Sequence, residues 1–93
     1  MNIERYQLND VYAMRIATFD GGRSIVFPIQ KSSKVDYPKI TYGNGNFSMS
    51  YNYLFLNPGE SSELLNNIKK AEEAIERARA ILQDRAYEES YER

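Results

Sequence analysis

The stretch FSMSYNYLF, residues 47–55, alternates between large apolar and small polar side chains. In an extended chain Phe47, Met49, Tyr51, Tyr53 and Phe55 fall on one side. Ser48, Ser50 and Asn52 fall on the other, joined by Leu54. Alternation with period two predicts a strand, one face of which is committed to something apolar. Two occupants fit that face: the chain's own core, or unpaired bases stacked on the rings.

The neighbouring sequence supplies partners for this strand. VYAMRIATF (11–19) and RSIVFPIQ (23–30) are rich in β-formers and flank Asp20-Gly21-Gly22, a hairpin signal. Pro28 has no N–H to give to a ladder, so the second strand is an edge there or carries a bulge. After the polar loop KSSKVD (31–36), PKITY (38–42) and the turn GNGN (43–46) lead into the quoted strand, which is expected to run to Leu56.

From residue 58 onward the pattern changes. Leu64, Ile68, Ala71, Ile75, Ala78 and Leu82 recur at steps of four and three, a helical seam. Leu65, Ala74 and Ile81 widen it into a face for a core. Asn57 as N-cap, Pro58 at the first helical position and Glu60 at the third predict the start. With no later proline or glycine, the helix is expected to span 58–86, with a frayed tail over 87–93. The expectation is one α+β domain over 1–93: a four-stranded antiparallel sheet of two hairpins (11–56) covered by one long C-terminal helix, ββββα.

A sheet and an amphipathic helix must bury their apolar faces on each other. Fully burying a large apolar side chain is worth about 1.5–3 kcal/mol. Stacking a base is worth about 1–3 kcal/mol, but only when ligand is present. The stripe is therefore expected to form the core, with Tyr12, Met14, Ile16, Ile25, Phe27, Ile29, Ile40 and Tyr42 on the same side. The opposite face then carries Ala13, Arg15, Ala17, Phe19, Ser24, Val26, Gln30, Lys39, Thr41, Ser48, Ser50 and Asn52. It is either a solvated surface or a platform for a flexible anionic chain. In the second case Arg15 and Lys39 meet phosphates, and Gln30 or Asn52 meets base edges. Lys31 and Lys34 of KSSK, with Arg23, extend the groove.

The expected helix is about 43 Å long at 1.5 Å per residue. An eight-residue strand spans only about 27 Å. The overshooting apolar stripe predicts a homodimer through Ala71, Ala74, Ile75, Ala78, Ile81 and Leu82. The alternative is that the last turns cover the arm over residues 1–10, where Ile3, Tyr6 and Leu8 also need shelter.

Composition bounds the chemistry. Among 93 residues there is no cysteine and no histidine, which removes disulfides, thiolate metal sites and the usual neutral-pH base. The acids of the helix, Glu72, Glu73 and Glu76, sit among Lys69, Lys70 and Arg77 as a solvated face. The expectation is no enzyme and no cofactor. No apolar run approaches the roughly 20 residues of a membrane span. The start of the chain lacks the apolar core of a signal peptide, so a cytoplasmic, non-membrane protein is expected. Residues 1–59 carry six Lys/Arg against four Asp/Glu, and residues 60–93 six against nine, so an anionic partner suits the first part.

The strand order, with LNPGESSELLNNIKKAEEAI (56–75) leading out of the last strand, resembles the single-stranded DNA-binding coactivator family called positive cofactor four and its Whirly and Pur-alpha relatives. The likeness extends in pattern over residues 11–82. It implies a dimer whose sheets bind single-stranded DNA or RNA on the surface away from the helices, with Arg15, Lys39 and Lys34 on that surface. A different reading is a small protein-binding adaptor or viral-type inhibitor, acting through its acidic helix or an edge strand.

Overall fold

The structure is a computed structural model that describes residues 1–32, 37–51 and 57–91. Among them, six strands precede one helix: β1 (Asn2–Gln7), β2 (Tyr12–Thr18), β3 (Ser24–Val26), β4 (Gln30–Lys31), β5 (Lys39–Gly43), β6 (Asn46–Ser50) and α1 (Ser61–Tyr91). All strand pairs are antiparallel. The α+β class with one long C-terminal helix is as expected. The strands, however, form two sheets rather than one: β2 lies between β1 and the broken edge β3/β4, and β5 pairs β6 separately. The extra strand is β1, in the arm that the sequence reading left outside the sheet.

β2 is central and buried on both faces. Tyr12, Met14 and Ile16 point towards α1 and are essentially inaccessible, as are Ala71, Ala74 and Ala78 of the helix. Alanines let the helix backbone approach the sheet closely, so three large side chains fill one thin layer. Phe47 and Ile40 complete the core, with Met49 against it, while Ser48 and Ser50 are exposed. Phe47 and Met49 of the stripe are therefore core, and Tyr51 is half-buried; Tyr53 and Phe55 lie outside the described residues.

This packing corrects the dimer surface expected from the sequence. Ala71, Ala74, Ile75, Ala78 and Ile81 are buried within the chain's own core, and Leu82 is half-buried against it. The seam is spent on β2 and on the N-terminal arm, whose Tyr6 and Leu8 join the same cluster. Polar clasps hold both ends of this contact. Near the start of β2, Asn9 Nδ2 donates to the Lys70 carbonyl (2.8 Å) and Lys70 pairs with Asp10 (2.8 Å). At the far end Arg85 pairs with Glu4 (3.2 Å). The Tyr6 hydroxyl also donates to Glu4. That bond, and after it Arg85, hold the Glu4 carboxyl below its ordinary value. Among the described residues no helix is long and apolar enough to cross a membrane.

The helix begins later than Pro58. Glu60 N donates to the Asn57 carbonyl (3.2 Å), and Gly59 has φ +86°. Pro58 and Gly59 are thus the corners of a type II turn. The Glu60 carbonyl accepts the first helical bond, from Leu64 N at 3.0 Å, so Glu60 takes the cap position assigned to Asn57. The Asn57 side chain instead donates to Glu60 Oε1 (3.0 Å). At the other end α1 continues to Tyr91, past the expected stop at 86. A Cβ on Gly59 would meet nothing within 4 Å, so Gly59→Ala carries only the conformational cost of a left-handed residue. It is expected to lower stability by about 1–2 kcal/mol, read as a shift in the urea midpoint at unchanged slope.

Tyr12 links the two sheets. Its hydroxyl donates to the Pro38 carbonyl at 2.6 Å, and its ring meets Tyr37 edge-on at 6.4 Å between centroids. Burial, then the neighbouring Tyr51 and Tyr37, push its pKa from 10.0 up to about 12. Below pH 10 both folded and unfolded states keep the proton, and the contribution of Tyr12 is complete. As pH rises through this window the unfolded state ionises first, so stability falls. Urea melts between pH 9 and 12 (about the range of tyrosine titration) should show a steeper alkaline loss for the wild type than for Tyr12→Phe.

Candidate nucleic-acid interface

The sheet face turned away from α1 is built in three rows across β2. In the first, Gln7, Ala13 and Gln30 lie side by side. In the second, Arg5 is directly opposite Arg15, and Phe27 N donates to the Arg15 carbonyl at 3.0 Å. In the third, Ile3, Ala17 and Ile25 align. Ala13 and Ala17 are small enough to vanish beneath their longer neighbours, whereas Ile3 and Ile25 remain about half exposed, at 50% and 49%.

The middle row carries the charge. The Arg15 guanidinium lies over the Phe27 ring, 4.8 Å from its centroid. Arg15 Nε is buried and has no hydrogen-bond partner among the described residues. Beside this row, an open groove of about 510 Å³ is lined by Arg5, Gln7, Ala13, Gln30 and Lys31, with Asp10, Val11 and Ser32 at one end. Asp10 is engaged by Lys70, which leaves cationic and amide groups as the chief polar features of the groove.

Three of the residues named from the sequence, Arg15, Gln30 and Lys31, meet on or beside this face. Arg23 is exposed at the far turn, where it lines a shallow recess with Phe19 and Ile25. Lys39 is exposed on β5, in the other sheet, so it does not share a surface of one continuous sheet with Arg15. Lys34 and Asn52 lie outside the described residues.

The second strand is inverted relative to the sequence expectation over residues 24–27. Phe19 N donates to the Arg23 carbonyl (2.7 Å), so the turn holds the three residues Asp20, Gly21 and Gly22. Both glycines have positive φ. The odd loop places Ser24 opposite Thr18 and Val26 opposite Ile16, which turns Ile25 and Phe27 outward. A second one-residue shift then cancels the first. Ile16 faces Val26 while Ala13 faces Gln30, so four steps on the edge strand answer three on β2. This is a β-bulge beside Pro28, and it returns Ile29 to the core and Gln30 to the outer face. Arg5, Gln7, Ile3 and Phe27 escaped the sequence reading for these reasons. The alternation of NIERYQ, with Ile3, Arg5 and Gln7 on one side, was the available signal.

No protein-family model matches the chain, and comparison with curated proteins and with solved structures returned no match.

Proposed function

We propose that the chain binds single-stranded nucleic acid across the sheet face opposite α1. The observation that carries this reading is the pair of arginines facing each other across β1 and β2, one of them resting on Phe27. Like charges directly opposite on neighbouring strands disfavour the sheet, and an anion between them removes that cost. Phosphates fit the middle row, while Phe27, Ile3 and Ile25 offer apolar surface to splayed bases. Gln7 and Gln30 offer donors and acceptors to base edges or sugars. A flat platform of this kind suits a flexible strand better than a duplex, which is read by elements that enter its grooves. Glu63, Glu72, Glu73, Glu76, Asp84, Glu88 and Glu89 sit on the helix, behind the sheet, so the field favours approach of a polyanion from the open side.

The test is a low-salt anisotropy titration with single- and double-stranded oligonucleotides of the same sequence. The expected result is tighter binding of the single strand, with an affinity that falls as salt rises. Single-strand binding weaker than about 100 µM at low salt would end this reading.

A further inference from the structure

β6 is the one strand edge, among the described residues, that nothing guards. The outer edge of β1 carries Glu4 and Arg5. The β3/β4 edge carries the bulge at Pro28 and ends in Lys31. β5 begins with Lys39, directly after Pro38, whose carbonyl is taken by Tyr12. NFSMS (46–50) has neither charge nor proline. Unblunted edges of this kind pair with another strand.

The hairpin geometry states which backbone groups β6 offers. Asn44 (φ 52°) and Gly45 (φ 80°) form a two-residue turn closed by Gly43 and Asn46. That closing pair is hydrogen-bonded, so Thr41/Ser48 and Lys39/Ser50 are too, by alternation. Phe47 and Met49 therefore aim their N–H and C=O groups away from β5. No described backbone group meets them.

Alongside this edge runs a groove of about 500 Å³, walled by Phe47, Ser48 and Met49 on the strand and by Glu72, Glu76 and Arg79 on the helix. Its lining is self-complementary. The strand wall is centred on Ser48, and the helix wall is centred between Ile75 and Glu76. A two-fold axis through the middle would set Phe47 across from a second copy's Met49 and, on the helix, Glu72 across from its Arg79. Neither Glu72 nor Arg79 has an ion pair among the described residues.

We infer that β6 is the pairing edge of a two-fold homodimer, antiparallel to its copy about Ser48, with Glu72 opposite the partner's Arg79. Pairing an edge with itself closes the assembly, and because the other edges are guarded it stops at two copies rather than growing into a filament. The inference is independent of the nucleic-acid reading: it concerns mass, and that reading concerns oligonucleotide affinity.

Sedimentation equilibrium of the full chain tests it, with circular dichroism as the check on folding. The wild type is expected to reach the mass of two chains as concentration rises. Met49→Pro removes an outward N–H that the β5/β6 ladder does not use; it also gives up the packing of Met49 on the core, and the folded fraction should be monomeric. Glu72→Arg or Arg79→Glu alone should raise the dissociation constant about tenfold or more by opposing like charges. The combined swap, Glu72→Arg with Arg79→Glu, should restore it. A wild type that remains monomeric near 1 mM, roughly the weakest association worth the name, overturns the inference. So does a charge swap that fails to recover the dimer of a folded chain.

Discussion

Replacing Ala74 and Ala78 together by leucine should cost the fold most of its stability. Both alanines are fully buried in the layer with Tyr12, Met14 and Ile16. Each leucine adds three carbons where the helix approaches the sheet most closely. Overpacking of a tight core costs about 1–3 kcal/mol per site, and occasionally more. Two neighbouring sites couple, because they push the helix off the same strand. A domain of this length holds about 5–14 kcal/mol in all. The expected outcome is a large drop in the urea midpoint, or a chain that no longer melts cooperatively. The experiment also separates two roles for the stripe. Were these alanines an open docking surface, leucine there would be tolerated and would strengthen association. Dilution-independent loss of stability identifies them as the interior of a single chain.

The second large effect belongs to the proposed ligand face. Arg5→Ala with Arg15→Ala is expected to abolish most single-strand binding. A hydrogen bond to a charged group is worth about 1.5–3 kcal/mol net. Each arginine should therefore account for roughly tenfold in affinity or more. If both meet phosphates, the slope of log affinity against log salt should shrink by about 1.4, at about 0.7 per phosphate on a single strand. Phe27→Ala should weaken binding with little change in that slope, because stacking releases no counterions. Loss of slope without Arg5 and Arg15, and loss of affinity alone without Phe27, is a signature that general destabilisation does not produce. Neither arginine is in the helix-facing core, so both variants should fold. Removing one of two opposed cations relieves repulsion across β1 and β2.

Much of this architecture was legible because its signals are local. Asn44-Gly45 has little choice of turn, and the alternation on either side of it fixed which of Ile40, Phe47 and Met49 go inward. The period of residues 64–82 called for a helix with one buried face, and β2 carried its own parity. The failures have a common cause, which is register set by single residues. Asp20-Gly21-Gly22 supports a turn of two or three residues, and the choice between them inverts every side chain from Ser24 to Phe27. The bulge at Pro28 inverts them back. Composition alone does not reveal either shift. β1 was missed because NIERYQ alternates weakly and has four charged or amide groups among six residues; it becomes a strand only because β2 offers it a template. The helix start was misplaced because Pro58 suits a first helical turn and a β-turn corner equally, and Gly59 decides for the turn. The small size of the alanines left two uses open, against another helix or against a sheet, and only the position of β2 selects the second.

The pairing of β2 with α1 has a bearing on how the chain is made. The side chains of Tyr12, Met14 and Ile16 wait for a lid supplied by residues 71–81, some sixty positions further along. During synthesis at about 5–20 residues per second, the β-rich segment emerges first, and its hydrophobic side stays open to water for several seconds. Contacts so distant in sequence form slowly and together. A nascent chain of this protein therefore gains little from its early hairpins until the helix leaves the ribosome, and its exposure to holding chaperones is written into the order of its elements.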